Sequence, residues 1–473
     1  MLPCDPGNHV NQLLLNLELN SVLSMIKDTI SMLQNKRVGP LLAMVVLFIA
    51  CKNNDIHQTQ LLRTLVSPHG VSEMSLVFQP GLQIGHETVA KTFQPSYVVT
   101  SRGTLLAFCQ GRIQNAEDNE PKVILMNTSH DYGKTWQGAR VLSGPMNHFA
   151  ISAYTSPLES GERVSFLTCV GLRVTKDYYD HDYERLHKET GIDLERVGHD
   201  KAAVLCRYFS DDDGVTWQME TLTHAKTPLF KSYDGYIPVF FNTIGQVHKI
   251  ENGPYKGRYI IGGPVYAVPP DKEVTNDFRN HPSTGSAIIY SEDRGETWQM
   301  HGMITDYLGN EASAVSVREG KELFMIRRYM DDRQLDANAP RSRVIPARGE
   351  RIAHTSEDGG ASWSSPFLLD MSSVRCHGTL ARVNDRLYFS IPEGIGVREK
   401  ETWDADRVNG AIYYSDDDGE TWDYKIIEES YFSYSTVGRL ADGYMITFYS
   451  RGGHGDKGIG YKIFTDKWLE SDL

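Results

Sequence analysis

The chain has 473 residues, 40% of them hydrophobic and 23% charged, with a formal net charge of −13. That acidic balance argues against nucleic acid as a partner but leaves room for a local arginine cluster that receives an anion. Length alone allows one large body or two to three ordinary domains.

The N-terminus reads as processing rather than fold. Lys36 and Arg37 precede the apolar run Pro40–Ala50, which is too short to span a bilayer. The run ends in Phe48-Ile49-Ala50-Cys51, which resembles a bacterial lipoprotein cleavage box with Cys51 as the lipidated residue. Met32 is a more natural start than Met1, so residues 1–31 are expected to be an upstream extension. The expected address is therefore the bacterial cell envelope, with membrane attachment through a lipid on Cys51. Of the remaining cysteines, Cys109, Cys169, Cys206 and Cys376 show no CxxC or Cys/His metal spacing. Buried free thiols are expected, with no metal and no cofactor.

From about residue 85 the chain becomes short β-rich runs punctuated by Gly, Asn and Asp turns. Ser96–Thr100, Thr104–Cys109, Lys122–Asn127, Val164–Val170, Ala202–Phe209, Tyr259–Gly262, Ser286–Tyr290, Leu323–Arg327, Arg386–Ile391 and Ala411–Tyr414 are expected strands. Arg173–Asp200 breaks the pattern: it is highly charged, partly helical in character and too long for a hairpin loop. It reads as a lid or rim insertion, or as a solvated surface excursion.

An eight-residue pattern, Ser-x-Asp-x-Gly-x-(Thr/Ser)-Trp, recurs at Ser129–Trp136, Ser210–Trp217, Ser291–Trp298, Ser356–Trp363 and Ser415–Trp422. Its chemistry is that of a stapled turn: Asp bonds backbone N–H groups two residues on, Gly supplies a positive φ, and Trp packs the turn onto its sheet. Five such turns and a terminal unit after Trp422 predict an all-β, six-bladed β-propeller, closed by a strand from around residues 75–95; seven blades remain compatible. The expected layout is residues 1–51 as upstream extension and signal peptide, 52–75 as linker, and 76–473 as one propeller. The turns belong on the outer rim, so function is to be sought between them.

The boxes and the segments between them resemble the sialidase superfamily over roughly residues 80–465. Thr104–Arg112 is similar to the family's first-blade strand ending in Arg, followed by an acidic loop in which Asp118 takes the acid/base position. Asn310-Glu311 is similar to the segment of the nucleophile-activating Glu, and Phe324-Met-Ile-Arg327 to one bearing an active-site Arg. Arg375–Thr379 matches a mouth-facing turn that carries His377. Arg407-Val-Asn-Gly matches the segment with a further Arg, and Ser433-Tyr434-Ser435 the site of the nucleophilic Tyr. Arginine forks suit a sugar carboxylate, and a Tyr beside Glu or Arg is expected to have its phenol pKa lowered.

One departure stands out. Where sialidases carry Phe-Arg-Ile-Pro, this chain reads Phe93-Gln94-Pro95-Ser96. Loss of that clamping Arg costs on the order of 2–5 kcal/mol for a buried carboxylate. His148, at the start of the second blade, and His377 are candidates to line the mouth instead.

Three readings follow. The first is β-elimination on uronic-acid-containing oligo- or polysaccharides, by analogy with propeller lyases that cleave ulvan, using Tyr434, His377, His148 and the arginines. The alternative is a retaining, sialidase-like glycoside hydrolase with Tyr434 as nucleophile, Glu311 as activator and Asp118 as acid/base. The third is a glycan-binding propeller without turnover. In each case the partner is an acidic glycan, and a monomer is expected.

Overall fold

Up-and-down strands joined by tight Gly-containing turns can bury both faces only by stacking sheet upon sheet around an axis. The computed structural model describes residues 60–113, 121–146, 148–171, 203–222, 237–268, 284–305, 309–329, 351–369, 376–394 and 407–471, together with Gln58, Met371 and Val374. The chain divides into two units, Met1–Thr64 and Leu65–Leu473, and the propeller is the second. Cys51, Asp118 and the segment 173–200 lie outside the described residues.

The strands form six antiparallel sheets. Blade 1 runs outward from Glu87–Val99 through Leu105–Ile113 and Lys122–Ser129 to Arg140–Val141, with Gln83–Ile84 paired at its inner edge. Blade 2 comprises His148–Leu158, Gly161–Gly171, Ala203–Ser210 and Gln218–Thr221. Blade 3 begins with Ile237–Phe241 and His248–Lys249, both paired to Tyr259–Val268, followed by Thr284–Ser291 and Gln299–Ile304. Blade 4 is Gly309–Val317, Glu322–Tyr329, Arg351–Ser356 and Phe367–Leu369; blade 5 is Thr379–Val383, Arg386–Pro392, Val408–Ser415 and Asp423–Tyr431.

Blade 6 contains Ser433–Ala441, Tyr444–Ser450 and Ile459–Phe464, and takes its outermost strand, Ser75–Phe78, from the other end of the unit. That exchange closes the ring and removes two open sheet edges. Closure starts earlier than residue 76: Val71 bridges Phe464, and Ser72 bonds Ile463, so part of the expected linker belongs to the propeller.

All five boxes connect the third strand of a blade to its outermost strand. In the first box, Asp131 Oδ1 accepts the Thr135 N–H at 2.8 Å, and Gly133 N–H donates to Ser129 Oγ at 2.8 Å. The Asp therefore caps an N–H four residues on, not two. Two consecutive residues take the left-handed conformation, as with Arg294 (φ 65) and Gly295 (φ 91).

Each box Trp packs against the preceding blade rather than only its own sheet. Trp136 sits edge-on to Tyr461 of blade 6, Trp217 to Phe108 of blade 1, and Trp298 to Tyr154 of blade 2, while Trp422 stacks near Phe324 of blade 4. Such pairs add about 0.5–1.5 kcal/mol each beyond area burial. A Cβ at Gly295 would lie 2.2 Å from Tyr154 Oη, so the glycine also permits the close approach of the two blades. The boxes are inter-blade rivets.

At the axis, each blade contributes one buried hydroxyl: Ser96, Ser152, Thr243, Ser313, Thr379 and Ser435. Most of them bond the next blade round. Ser96 Oγ accepts the Ala153 N–H at 3.0 Å, Ser152 Oγ donates to Thr243 O at 2.8 Å, Ser313 Oγ accepts the Leu380 N–H at 3.0 Å, and Thr379 Oγ1 donates to Ser435 O at 2.8 Å. Just on the mouth side of this collar, register irregularities interrupt the inner strands between Phe93 and Ser96, His148 and Ile151, Gly309 and Ala312, and Ser433 and Thr436. Bulges re-aim side chains, and these four lie where the candidate site residues stand.

Candidate active site

Tyr434 and Glu311 reach the mouth from the bulged starts of the inner strands of blades 6 and 4. The Tyr434 hydroxyl donates to Glu311 Oε1 at 3.0 Å. Arg328 Nη1 lies 2.5 Å from Glu311 Oε2 and donates to the Tyr434 hydroxyl at 3.4 Å. Arg407 stands over the Tyr434 ring, its Cζ 5.3 Å from the centroid. Phe93 packs the other way, 4.7 Å between centroids, and Arg112 covers Phe93 at 4.5 Å. The His377 ring is stacked 6.5 Å from Tyr434.

The backbone beneath this cluster is strained. Tyr434 has φ 45 and Gln94 φ 52, both in the left-handed region that non-glycine residues rarely enter. Strain of this kind costs roughly 1–3 kcal/mol and gathers at functional sites. Tyr434 is held by its N–H, which donates to Cys376 Sγ at 3.2 Å, and Gln94 by its N–H, which donates to Ser450 Oγ at 3.2 Å. Gln94, half-buried at the start of blade 1, places an uncharged side chain where the resemblance implies a guanidinium.

Protonation follows from burial and neighbours. Burial, with Glu311 beside it, pushes the Tyr434 phenol well above its ordinary value despite Arg328 and Arg407. The expected lowering does not occur, because desolvation and an adjacent carboxylate outweigh the two guanidiniums. Burial works to raise the Glu311 carboxyl too, but the Arg328 guanidinium, His377 and the Arg328 and Tyr434 hydrogen bonds bring it below its ordinary value. His377 is driven down to about 4 by burial and the nearby Arg351 and Arg328, against the pull of Glu311. At neutral pH the site therefore holds a phenol, a carboxylate and a neutral imidazole among several guanidiniums. A neutral phenol hydrogen-bonded to a carboxylate is a nucleophile with its base in place, and the surplus positive charge suits an anionic ligand.

Two sequence expectations are corrected. Arg327 does not face Glu311: it is fully buried toward blade 3, donating to Ser286 Oγ at 2.9 Å and Gly309 O at 2.7 Å, with His354 Nε2 at 2.9 Å from Nη1. Arg328, the next residue, takes the mouth, because neighbours along a strand point to opposite faces. His148 is fully buried in the wall between blades 1 and 2, edge-on to Tyr208 at 6.1 Å, and held down to about 3 by burial and Lys122. It is not one of the groups around Tyr434.

Sequence reasoning also missed Arg351. Buried on the third strand of blade 4, it donates from Nη2 to Cys376 O at 2.7 Å and to Val374 O at 3.3 Å, and burial lowers it to about 10. One Arg among four between residues 341 and 351 carried no signal that it, rather than its neighbours, would return beneath the site. Among the described residues, no group of three or more His, Cys, Asp or Glu side chains is placed to hold a metal ion.

The BNR repeat-like domain family matches residues 194–446, more than half of the chain. The chain belongs to this family. It is a BNR-repeat propeller of the sialidase superfamily. A sialidase of Micromonospora viridifaciens is 27% identical over 391 residues, which are 79% of this chain and 51% of the relative, so the chain spans about half of that relative's length.

Among solved structures, this BNR-repeat propeller superposes on Trypanosoma rangeli sialidase in complex with 2,3-difluorosialic acid, a covalent intermediate, with TM-score 0.55 and 16% identity over 85% of this chain and 60% of that one. It also superposes on the intramolecular trans-sialidase of Ruminococcus gnavus with oseltamivir carboxylate, with TM-score 0.52 and 16% identity over 83% and 99%. At those identities the likeness is one of fold.

Proposed function

We propose that this protein is a retaining, sialidase-type glycoside hydrolase that removes an acidic sugar through a covalent intermediate on Tyr434. The observation that carries the reading is the hydrogen-bonded set Tyr434–Glu311–Arg328. As the phenol oxygen attacks the anomeric carbon, its proton passes to Glu311 Oε1, and Arg328 Nη1 steadies the oxygen that loses it. A phenol is suited to an anionic sugar because, unlike a carboxylate nucleophile, it brings no negative charge to the substrate. Water then releases the sugar from Tyr434 with net retention. Asp118, by resemblance, would protonate the leaving oxygen and later activate the water.

Arg407, over the Tyr434 ring, and Arg112, over Phe93, are the cations that would receive an acidic group. With Gln94 in place of a third clamp, the carboxylate is held by fewer charges, which favours a substrate that adds contacts of its own beyond the carboxylate. The names of the relatives, sialidases and an intramolecular trans-sialidase, support an acidic nonulosonic sugar as the first to try. Elimination on a uronate draws less support: it would use Tyr434 as a base, yet the phenol is held firmly protonated, and His148 stands away from it.

The test is product mass from a panel of acidic oligosaccharides and aryl glycosides. Hydrolysis adds one water across the broken bond and creates no ultraviolet chromophore. An unsaturated product without added water would reinstate elimination.

A further inference from the structure

Cys376 is fully buried in the turn that precedes the inner strand of blade 5, and two hydrogen bonds tie it to its neighbours. Its sulfur accepts the Tyr434 N–H from blade 6 at 3.2 Å. Its carbonyl accepts Arg351 Nη2 from blade 4 at 2.7 Å. Three blades therefore meet at one residue. The backbone N–H that the sulfur receives belongs to the residue whose φ of 45 departs from extended strand geometry, just where the register of blade 6 slips between Ser433 and Thr436. An extended Tyr434 would not present its N–H or its ring in the same direction, so the left-handed turn is what aims the phenol at Glu311. Something must hold that turn against its strain, and the sulfur is the partner its N–H has.

We propose that Cys376 is a positioning residue for the nucleophile: anchored by Arg351, it locks the left-handed backbone of Tyr434 so that the phenol stays within hydrogen-bond reach of Glu311. The role rests on the reading of Tyr434 as nucleophile. The sulfur touches no substrate and no reacting atom. It acts only through the Tyr434 backbone, as a weak acceptor. Burial keeps the thiol protonated, and Arg407 beside it works in the opposite direction. Arg351 supplies the other half of the strut: its Nη2 donates to both the Cys376 and the Val374 carbonyls and fixes the turn from the blade 4 side.

The experiment compares Cys376→Ala with Cys376→Ser, which leave nearly the same small void and differ by one hydroxyl that can accept the Tyr434 N–H. On an acidic glycoside that the wild-type protein hydrolyses, Cys376→Ala is expected to lose on the order of ten- to a hundredfold in kcat with KM little changed. Cys376→Ser is expected to recover most of the loss. Equal kcat in all three proteins, equal losses in both variants, or a loss confined to KM would overturn the proposal.

Hydrogen exchange of the Tyr434 amide gives a readout that needs no turnover. It should be slow in wild type and in Cys376→Ser and faster in Cys376→Ala. A freely exchanging Tyr434 amide in the wild-type protein overturns the proposal even if Cys376→Ala does not fold. A protein that hydrolyses nothing but keeps this amide protected would refute the hydrolase reading and leave the strut standing.

Discussion

Glu311 accepts two hydrogen bonds on its two oxygens: the Tyr434 hydroxyl on Oε1 at 3.0 Å and Arg328 Nη1 on Oε2 at 2.5 Å. The carboxylate is thus oriented by the arginine and aimed at the phenol. Replacing it by an amide keeps the shape but removes the base. Glu311→Gln is expected to lower kcat on the order of 10²- to 10⁴-fold. Tyr434→Phe should remove covalent turnover while leaving the fold intact, since Phe93 and His377 still pack the ring. Steady-state kinetics with circular dichroism on both variants checks this. Wild-type kcat in Tyr434→Phe would discard the nucleophile assignment.

Arg327 and Arg328 are adjacent in sequence and separate in role. Arg328→Leu leaves Glu311 as an unpaired buried charge, which costs about 3–5 kcal/mol, and the surviving folded protein should be inactive. Arg327→Leu removes donors from Ser286 Oγ and Gly309 O in the blade 3–blade 4 interface and is expected to cost about 1–3 kcal/mol. Its folded fraction should turn over at the wild-type rate. Urea unfolding alongside kinetics separates the two, and the opposite pattern would return the site to Arg327.

The buried histidines make stability depend on pH. His377 is held at about 4 and His148 at about 3, both below the 6.5 of an unfolded histidine. Between those values the unfolded chain binds protons that the native state refuses, so stability falls as pH drops from about 6.5 toward 4. Each histidine contributes a slope of up to about 1.4 kcal/mol per pH unit in that window. Urea midpoints at a series of pH values should show the fall, and His148→Phe should flatten it by one histidine's share. An unchanged slope in that variant would mean that His148 is solvated or charged in the folded protein.

The box turns should behave as rivets between blades. Gly295→Ala puts a side chain into left-handed backbone and against the Tyr154 hydroxyl, and is expected to cost about 2 kcal/mol or more. Activity per folded molecule should not change, because Gly295 lies on the outer rim. A thermal melt and a kinetic assay on the same sample would show whether both halves of that expectation hold.

Much of the fold was legible because the boxes repeat. Five turns fixed five blades, and the terminal unit after Trp422 supplied the sixth. Which face each strand residue takes was harder to read. A strand inside a propeller is buried on both sides: Leu323 and Met325 pack toward blade 3, and Phe324 and Ile326 toward blade 5. The sequence therefore lacks the apolar–polar alternation that would have distinguished Arg327 from Arg328.

His148 was misplaced for a related reason, since a start-of-strand position next to a bulge can face the axis or the neighbouring blade. Glu311, Tyr434, His377 and Arg407 do come together, brought there from strands far apart in sequence by the order of the blades. The raised Tyr434 phenol was not readable at all, because burial depth is a property of the assembled ring. Cys376, in sequence only one member of a turn, gains a role from a contact between blades 5 and 6 that no local pattern announces.

On the proposed mechanism Tyr434 carries the sugar between the two halves of the reaction. The most direct measurement is intact-protein and peptide mass spectrometry after rapid acid quench of the protein with an acidic-sugar substrate, or with its fluorinated analogue, which slows release of the sugar. A glycosyl adduct is expected on the peptide containing Tyr434, accumulating with Glu311 intact and absent from Tyr434→Phe. An adduct on another residue, or steady turnover of that substrate with none on Tyr434, would contradict it.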